Sequence, residues 1–220
     1  MATKAVIFDL WNTLAYTKGA KTNPIVKLEE MLGLNMGLYR EVEQGLMKKE
    51  FKTKREAMKS LCRHIGVKPK DVLVDSLVYV WDNTQMNVTL FPDVVQMLQK
   101  LGNKFRIGLI SNTDCFTVSK FNELGFNNYF NSVAFSCKLG LLKPDPRIFR
   151  LVLHDLGVKP EEAVMVGDNY KDDVLAAEKL GIKGVLMKRD YDKYRAKPLF
   201  IESHDHSRTI RNLEELERFL

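Results

Sequence analysis

Apolar residues fall along this chain in two rhythms, and the alternation between them predicts the fold. Short, nearly continuous apolar runs at 4–9, 105–111, 132–136, 163–167 and 183–187 have the length and composition of strands buried on both faces. Between them the spacing turns helical. Val94, Met97, Leu98 and Leu101 recur at i, i+3, i+4 and i+7, and Gly102-Asn103 ends that helix. Further helices are predicted at about 115–124, at 146–156 with Ile148, Phe149, Leu151 and Val152, and at 172–180 with Val174, Leu175 and Ala177; each stops at a glycine. Strand and helix thus alternate from residue 90 onward, the signature of a doubly wound parallel α/β sheet. A last helix from about Asn212, with Tyr191 and Tyr194 before it, is expected to pack on the sheet edge.

Residues 22–87 break the alternation. They contain no convincing strand, and four apolar faces recur at helical spacing: Leu28, Met31 and Leu32; Val42, Leu46 and Met47; Met58, Leu61, Cys62 and Ile65; Val74, Leu77, Val78 and Trp81. Four such helices would make a small bundle. The expected division is therefore an α/β core from 1–15 and 88–220 with a helical unit from 16–87 inserted in it.

Polar residues punctuate the predicted strands at their C-terminal ends, where an α/β sheet presents groups to a ligand. Ala5-Val6-Ile7-Phe8 delivers Asp9, followed by Leu10-Trp11-Asn12-Thr13. The strand through Ile110 ends in Ser111-Asn112-Thr113. Lys143-Pro144-Asp145-Pro146 sets a basic residue in a rigid turn before a helix, and Val164-Met165-Val166-Gly167 releases Asp168, Asp172 and Asp173. A carboxylate can act as a nucleophile, and a hydroxyl and a fixed ammonium can steady developing negative charge. Acids clustered in one turn suit a hard cation such as magnesium. Together and in this order, the four motifs resemble those of the haloacid dehalogenase superfamily, with the helical insertion where many of its members carry a cap.

The resemblance implies Asp9 as nucleophile and Ser111 and Lys143 as catalytic partners, with Asn112 and Thr13 binding substrate. It further implies that magnesium is held by Asp9, Asp168, Asp173 and the backbone carbonyl of Trp11, with Asp172 close by. One position departs from the pattern. Most phosphatases of the superfamily carry a second Asp two residues after the nucleophile to protonate the leaving group; here the residue is Trp11, whose indole cannot shuttle protons at neutral pH. Haloacid dehalogenases also lack that Asp, but they typically lack the acidic cluster as well. The preferred reading is a magnesium-dependent phosphohydrolase working through an aspartyl-phosphate, suited to a leaving group of low pKa. A 2-haloacid dehalogenase using an aspartyl ester and a non-catalytic binding or regulatory protein are the alternatives. The acidic cluster decides the order, because grouped carboxylates are costly to hold without a cation.

Composition narrows the partners. The 220 residues are 45% apolar and carry a net charge of +6, from 34 basic and 28 acidic side chains. The basic residues are dispersed and accompanied by acids rather than set in an aromatic-laced stripe, which argues against nucleic acid and for a small phosphorylated or otherwise anionic metabolite. No apolar stretch approaches the roughly 18 residues of a membrane span, and the N-terminus does not resemble a signal peptide. Cys62, Cys115 and Cys137 are an odd number without CxxC spacing, expected as reduced thiols in a cytoplasmic protein. Tyr16, Lys18, Lys21, Arg40 and Trp81 are the residues of the inserted segment expected to meet substrate, Arg40 being the candidate for a carboxylate or halide.

Overall fold

A computed structural model describes residues 2–18, 24–33, 39–85, 88–123, 125–194 and 206–220. Strand β1 (Ala5–Phe8) leads through β2 (Ala15–Thr17) into four helices, α1 (Pro24–Met31), α2 (Tyr39–Leu46), α3 (Lys54–His64) and α4 (Asp71–Gln85), and returns through β3 (Val88–Leu90). The chain then alternates: α5 (Val94–Gly102), β4 (Arg106–Ser111), α6 (Cys115–Glu123), β5 (Ser132–Phe135), α7 (Ser136–Leu139), α8 (Pro146–Leu156), β6 (Ala163–Gly167), α9 (Ala176–Glu178), β7 (Lys183–Met187), α10 (Tyr191–Tyr194) and β8 (Thr209–Ile210).

Six strands form one parallel sheet in the order β5-β4-β1-β6-β7-β8. The five apolar runs are its first five strands to within a residue or so at each end, and β8 is an edge strand too short to leave a periodic signal. The two-residue repeat of a strand splits β1 between two cores. Val6 and Phe8 join Leu98, Leu101, Phe121 and Leu213 on one face, whereas Ala5 and Ile7 join Ile148, Phe149, Val152 and Ala177 on the other. Both faces are covered, as a parallel sheet requires. Gly108 lets α8 approach β4: a methyl group there would lie 2.9 Å from Val152 Cγ1. The chain builds outward from β1 through β4 to β5 and then crosses to lay β6, β7 and β8 on the other side of β1, so the crevice of the sheet opens at the C-terminal ends of β4, β1 and β6.

The four helices gather a separate core of Leu28, Val42, Leu46, Met58, Leu61, Val74, Leu77 and Trp81. Trp81, expected to reach substrate, is instead sunk in this cluster, because helical periodicity fixes a stripe but not its neighbour. α3 begins at Thr53, whose side chain accepts the Glu56 N–H, an N-cap of the usual kind. β2 and β3 pair antiparallel, Ala15 opposite Leu90, and tie this unit to the sheet. Tyr16 stacks on Phe91 with ring centroids 4.5 Å apart, and Lys18 is exposed. Lys21 lies outside the described residues.

Two stretches differ from the sequence expectation. The helix expected at 172–180 opens as a π-turn, Tyr170–Leu175, before its short α-helical end. Asn169 caps it, its side chain accepting the N–H groups of Lys171 and Asp172 while its carbonyl accepts the Asp173 N–H at 2.9 Å. The last helix is 3-10, Leu213–Phe219, capped by Asn212, with Leu213 and Leu216 buried against the sheet.

Arg189, which periodicity does not single out, is a buried tie among distant segments. Its guanidinium donates to the Thr13 carbonyl at 2.8 and 3.1 Å and to Asp93 Oδ2 at 2.7 Å, and it lies 4.3 Å over the Phe91 ring. Asp93 also accepts the Leu213 N–H at 2.8 Å. Cutting a buried ion pair on one side leaves a charge without a partner and costs about 3–5 kcal/mol. Arg189→Ala is expected to lower the unfolding free energy by about that amount, read from the urea midpoint at unchanged slope; a loss below 1 kcal/mol would remove Arg189 from this role.

Candidate active site

The tips of three adjacent central strands and two turns converge on one pocket. Asp9 follows the last residue of β1 and is fixed by its own N–H, which donates to the Val166 carbonyl of β6 at 2.8 Å. Ser111 ends β4, and Gly167 ends β6 with Asp168 after it. Lys143 enters from the turn before α8. Its N–H donates to Asn112 Oδ1 at 2.8 Å, and its carbonyl accepts Asn112 Nδ2 at 3.2 Å and an Arg40 N–H at 3.0 Å. Asn112, expected at the substrate, lines the pocket and uses its amide to position the Lys143 backbone and to reach Glu43.

The Lys143 ammonium sits between two carboxylates, 2.5 Å from Asp9 Oδ1 and 2.7 Å from Asp173 Oδ1. All three side chains are buried. Burial alone would drive the lysine to lose its proton, but the charges of Asp173 and Asp9 outweigh that and hold its pKa above the usual range. Burial pushes the Asp9 carboxyl upward, opposed by Lys143 and reinforced by Asp173. Asp168 is also raised well above the ordinary carboxylate range, by desolvation and then by the charges of Asp9 and Asp173. Oxygens of Asp9, Asp168 and Asp173 lie within 4.8 Å of one another. Three carboxylates against one ammonium leave two negative charges uncompensated, the complement a dication supplies.

Two hydroxyls nearby have no partner. Ser111 Oγ and Thr13 Oγ1 are fully buried without a hydrogen bond in the structure. An orphaned buried hydroxyl costs free energy unless something else satisfies it. For Ser111, whose strand lies beside β1, the oxygen of a bound anion would do so.

Trp11 forms one wall. Its indole N–H points to Thr113 Oγ1 at 3.4 Å, and its ring meets Phe121 edge-on at 6.1 Å. Asn12, at φ 58°, turns the chain through the left-handed region that Asn tolerates, and its amide donates to Asp168 Oδ2 at 3.2 Å. The opposite wall comes from α2, through residues the sequence did not mark except Arg40. Tyr39 and Glu43 of that helix line the pocket, Tyr39 packing also against the helical core that Val42 and Leu46 face. Arg40 pairs with Asp172 across the gap and donates to Glu43 Oε2 at 3.0 Å. Its charge is thereby committed to a carboxylate of the sheet side. Glu43 is buried, accepts Asn112 Nδ2 at 3.1 Å and is also hydrogen-bonded by Tyr39. The cavity enclosed by Asp9, Trp11, Tyr39, Glu43, Lys143 and Asp168 measures about 70 Å³, room for a few waters or one ion with a phosphoryl-sized group.

Comparison with known proteins agrees with this geometry. A family model described as haloacid dehalogenase-like hydrolase matches residues 3–181. The glyceraldehyde 3-phosphate phosphatase of Methanopyrus kandleri is 32% identical over 199 residues, covering 84% of each chain. Human N-acylneuraminate-9-phosphatase is 27% identical over 83% of this chain and 81% of its own. Among solved structures, a HAD phosphatase from Thermococcus onnurineus superposes with TM-score 0.62 at 22% identity, covering 99% of this chain and 97% of its own. A 2-haloacid dehalogenase from Pseudomonas syringae superposes with TM-score 0.61 at 22% identity, covering 99% and 100%. The fold is common to both chemistries and does not choose between them. In its four motifs, its parallel sheet and its relatives alike, this chain belongs to the haloacid dehalogenase-like hydrolases.

Proposed function

We propose that the chain is a magnesium-dependent phosphohydrolase of small phosphorylated metabolites, acting through an aspartyl-phosphate on Asp9, with the 16–87 helical unit as the cap over its site. The observation that carries this reading is the trio Asp9, Asp168 and Asp173, drawn within 4.8 Å around a single buried lysine. Those three carboxylates and the Trp11 carbonyl would hold the magnesium ion, which supplies charge neutralisation that lets a phosphate dianion approach a carboxylate. The phosphatase names of the relatives at 32% and 27% identity favour the same substrate class.

The protein's own groups divide the remaining work. Asp9 attacks phosphorus, Ser111 Oγ donates to a phosphoryl oxygen, and the Lys143 ammonium offsets charge gathering on the transferred group. Asn112 keeps Lys143 in place through its backbone. Trp11 and the α2 wall narrow the pocket and keep bulk water from it as Asp9 attacks phosphorus. Substitution at the carbon of a 2-haloacid would need no cation, so the dehalogenase reading leaves the acidic trio without a purpose.

Magnesium-dependent hydrolysis of para-nitrophenyl phosphate, followed as nitrophenolate absorbance, is expected to vanish with chelator and in Asp9→Asn. Halide release from a 2-haloacid that persists in chelator would overturn the assignment. Gly167 offers a second check. A methyl group there would sit 2.2 Å from Asp173 Oδ2, so the carboxylate must move. A displacement of about 1 Å at a reacting centre costs roughly 10²-fold. Gly167→Ala should lose activity on that scale and need more magnesium for half-maximal rate; an unchanged magnesium requirement would take Asp173 out of the ion's ligand set.

A further inference from the structure

Trp11 leaves the first motif without a side chain able to pass a proton, yet the pocket holds other groups with exchangeable protons. Lys143 is fixed between Asp9 and Asp173. Asp168 and Asp173 belong to the carboxylate trio, and Asp172, next to Asp173 in the same turn, belongs to the acidic cluster on that side of the pocket. Tyr39 is pushed well above its ordinary pKa by burial and by the charges of Glu43, Asp172 and Asp168, so it keeps its proton at neutral pH. Glu43 remains. It lines the same cavity as Asp9, from the opposite wall, and is buried.

Resting on the phosphohydrolase reading, we infer that Glu43 is the catalytic acid and base of this site, delivered by α2 to do what Trp11 cannot. Its carboxylate has about four lone-pair sites. Arg40, Asn112 and Tyr39 engage three of them and fix its orientation, which leaves room for one bond to substrate or water. Burial raises its carboxyl above the ordinary range, with Asp172 adding to the rise, while Arg40 and hydrogen bonds from Tyr39 and Asn112 oppose it. A carboxyl so placed holds its proton closer to neutral pH, where an acid catalyst needs it.

The steps balance. In the first, a bond forms between Asp9 and phosphorus as the bond from phosphorus to the ester oxygen breaks, and the Glu43 proton passes to that oxygen, giving an alcohol and the Glu43 carboxylate. In the second, Glu43 takes a proton from water as the water oxygen bonds to phosphorus and the Asp9–phosphorus bond breaks. Inorganic phosphate leaves and the Glu43 acid is restored. With such an acid the enzyme is not confined to aryl or acyl phosphates, as Trp11 alone suggests; its substrate class is the phosphate monoester of an aliphatic alcohol, whose alkoxide cannot leave unprotonated.

The test compares glycerol 2-phosphate with para-nitrophenyl phosphate in the parent and in Glu43→Gln, reading kcat/KM with magnesium present. That parameter covers events only through phosphoryl transfer to Asp9, so the water step does not blur it. Nitrophenolate departs without a proton, whereas the alkoxide needs one. Glu43→Gln is expected to lose about 10²–10⁴-fold on the alkyl ester, and less than roughly tenfold on the aryl ester, which has no use for general-acid help. An equal loss on both esters would mark Glu43 as merely structural and overturn the inference, as would no loss on either. Should Glu43→Gln fail to fold by thermal melting, Glu43→Asp is expected to show the same selective loss in smaller measure, and an unselective one overturns it. Failure of the parent to hydrolyse the alkyl ester while hydrolysing the aryl ester would sink this inference alone. Absence of any magnesium-dependent turnover would sink the phosphohydrolase reading and this inference with it.

Discussion

The site is organised by one buried ammonium. Lys143 draws the carboxylate at the tip of β1 toward the one released by the π-turn after β6, although Asp9 and Asp173 lie far apart in sequence. Its charge lies against both carboxylates at once and offsets the repulsion between them where little water reaches. The lysine in turn depends on its backbone, which Asn112 grips from β4 and Arg40 from α2. Sheet, turn and helical unit therefore meet in a single charge arrangement, and the surrounding geometry follows from keeping that arrangement neutral enough to bury.

This economy explains which residues carry strain and which carry none. Gly167 is glycine because Asp173 folds back across it, and Asn12 takes a left-handed turn that points its amide at Asp168. Ser111 and Thr13 keep hydroxyls that find no partner within the protein. A buried hydroxyl without a partner costs free energy, so each is a place where the fold forgoes stability.

Much of the fold was legible in the chain because parallel strands buried on both faces must be apolar throughout. The five central strands announced themselves for that reason. Polar residues at strand ends stand out against the same background, which marks Asp9, Ser111 and Asp168; Lys143 and Asp173 lie in turns, and the order of the four motifs, in its resemblance to a known family, is what groups them with the rest. What escaped depended on tertiary partners. Arg189 bonds to Thr13 and Asp93, and nothing local distinguishes it from a surface arginine. Glu43 reads as one more polar residue on an amphipathic helix until that helix is laid against Asn112. Trp81 erred the other way, since an aromatic on a helical stripe can serve either a core or a ligand, and here it serves the core. The helix expected at 172–180 opens instead as a π-turn at Tyr170–Leu175, a change of hydrogen-bond register that apolar spacing does not report.

The antiparallel ribbon of β2 and β3 has a consequence for how such a chain can change over time. Departure and return of the four-helix excursion lie side by side, Ala15 opposite Leu90, so a tight hairpin could join them with the parallel sheet left whole. Whatever the excursion contributes, including Glu43, is modular baggage carried on one handle. Its exchange for another helical piece would keep Asp9, Asp168 and Asp173 on the sheet but would take away the Arg40 contacts to the Lys143 carbonyl and to Asp172, so a replacement must supply its own partner for that turn.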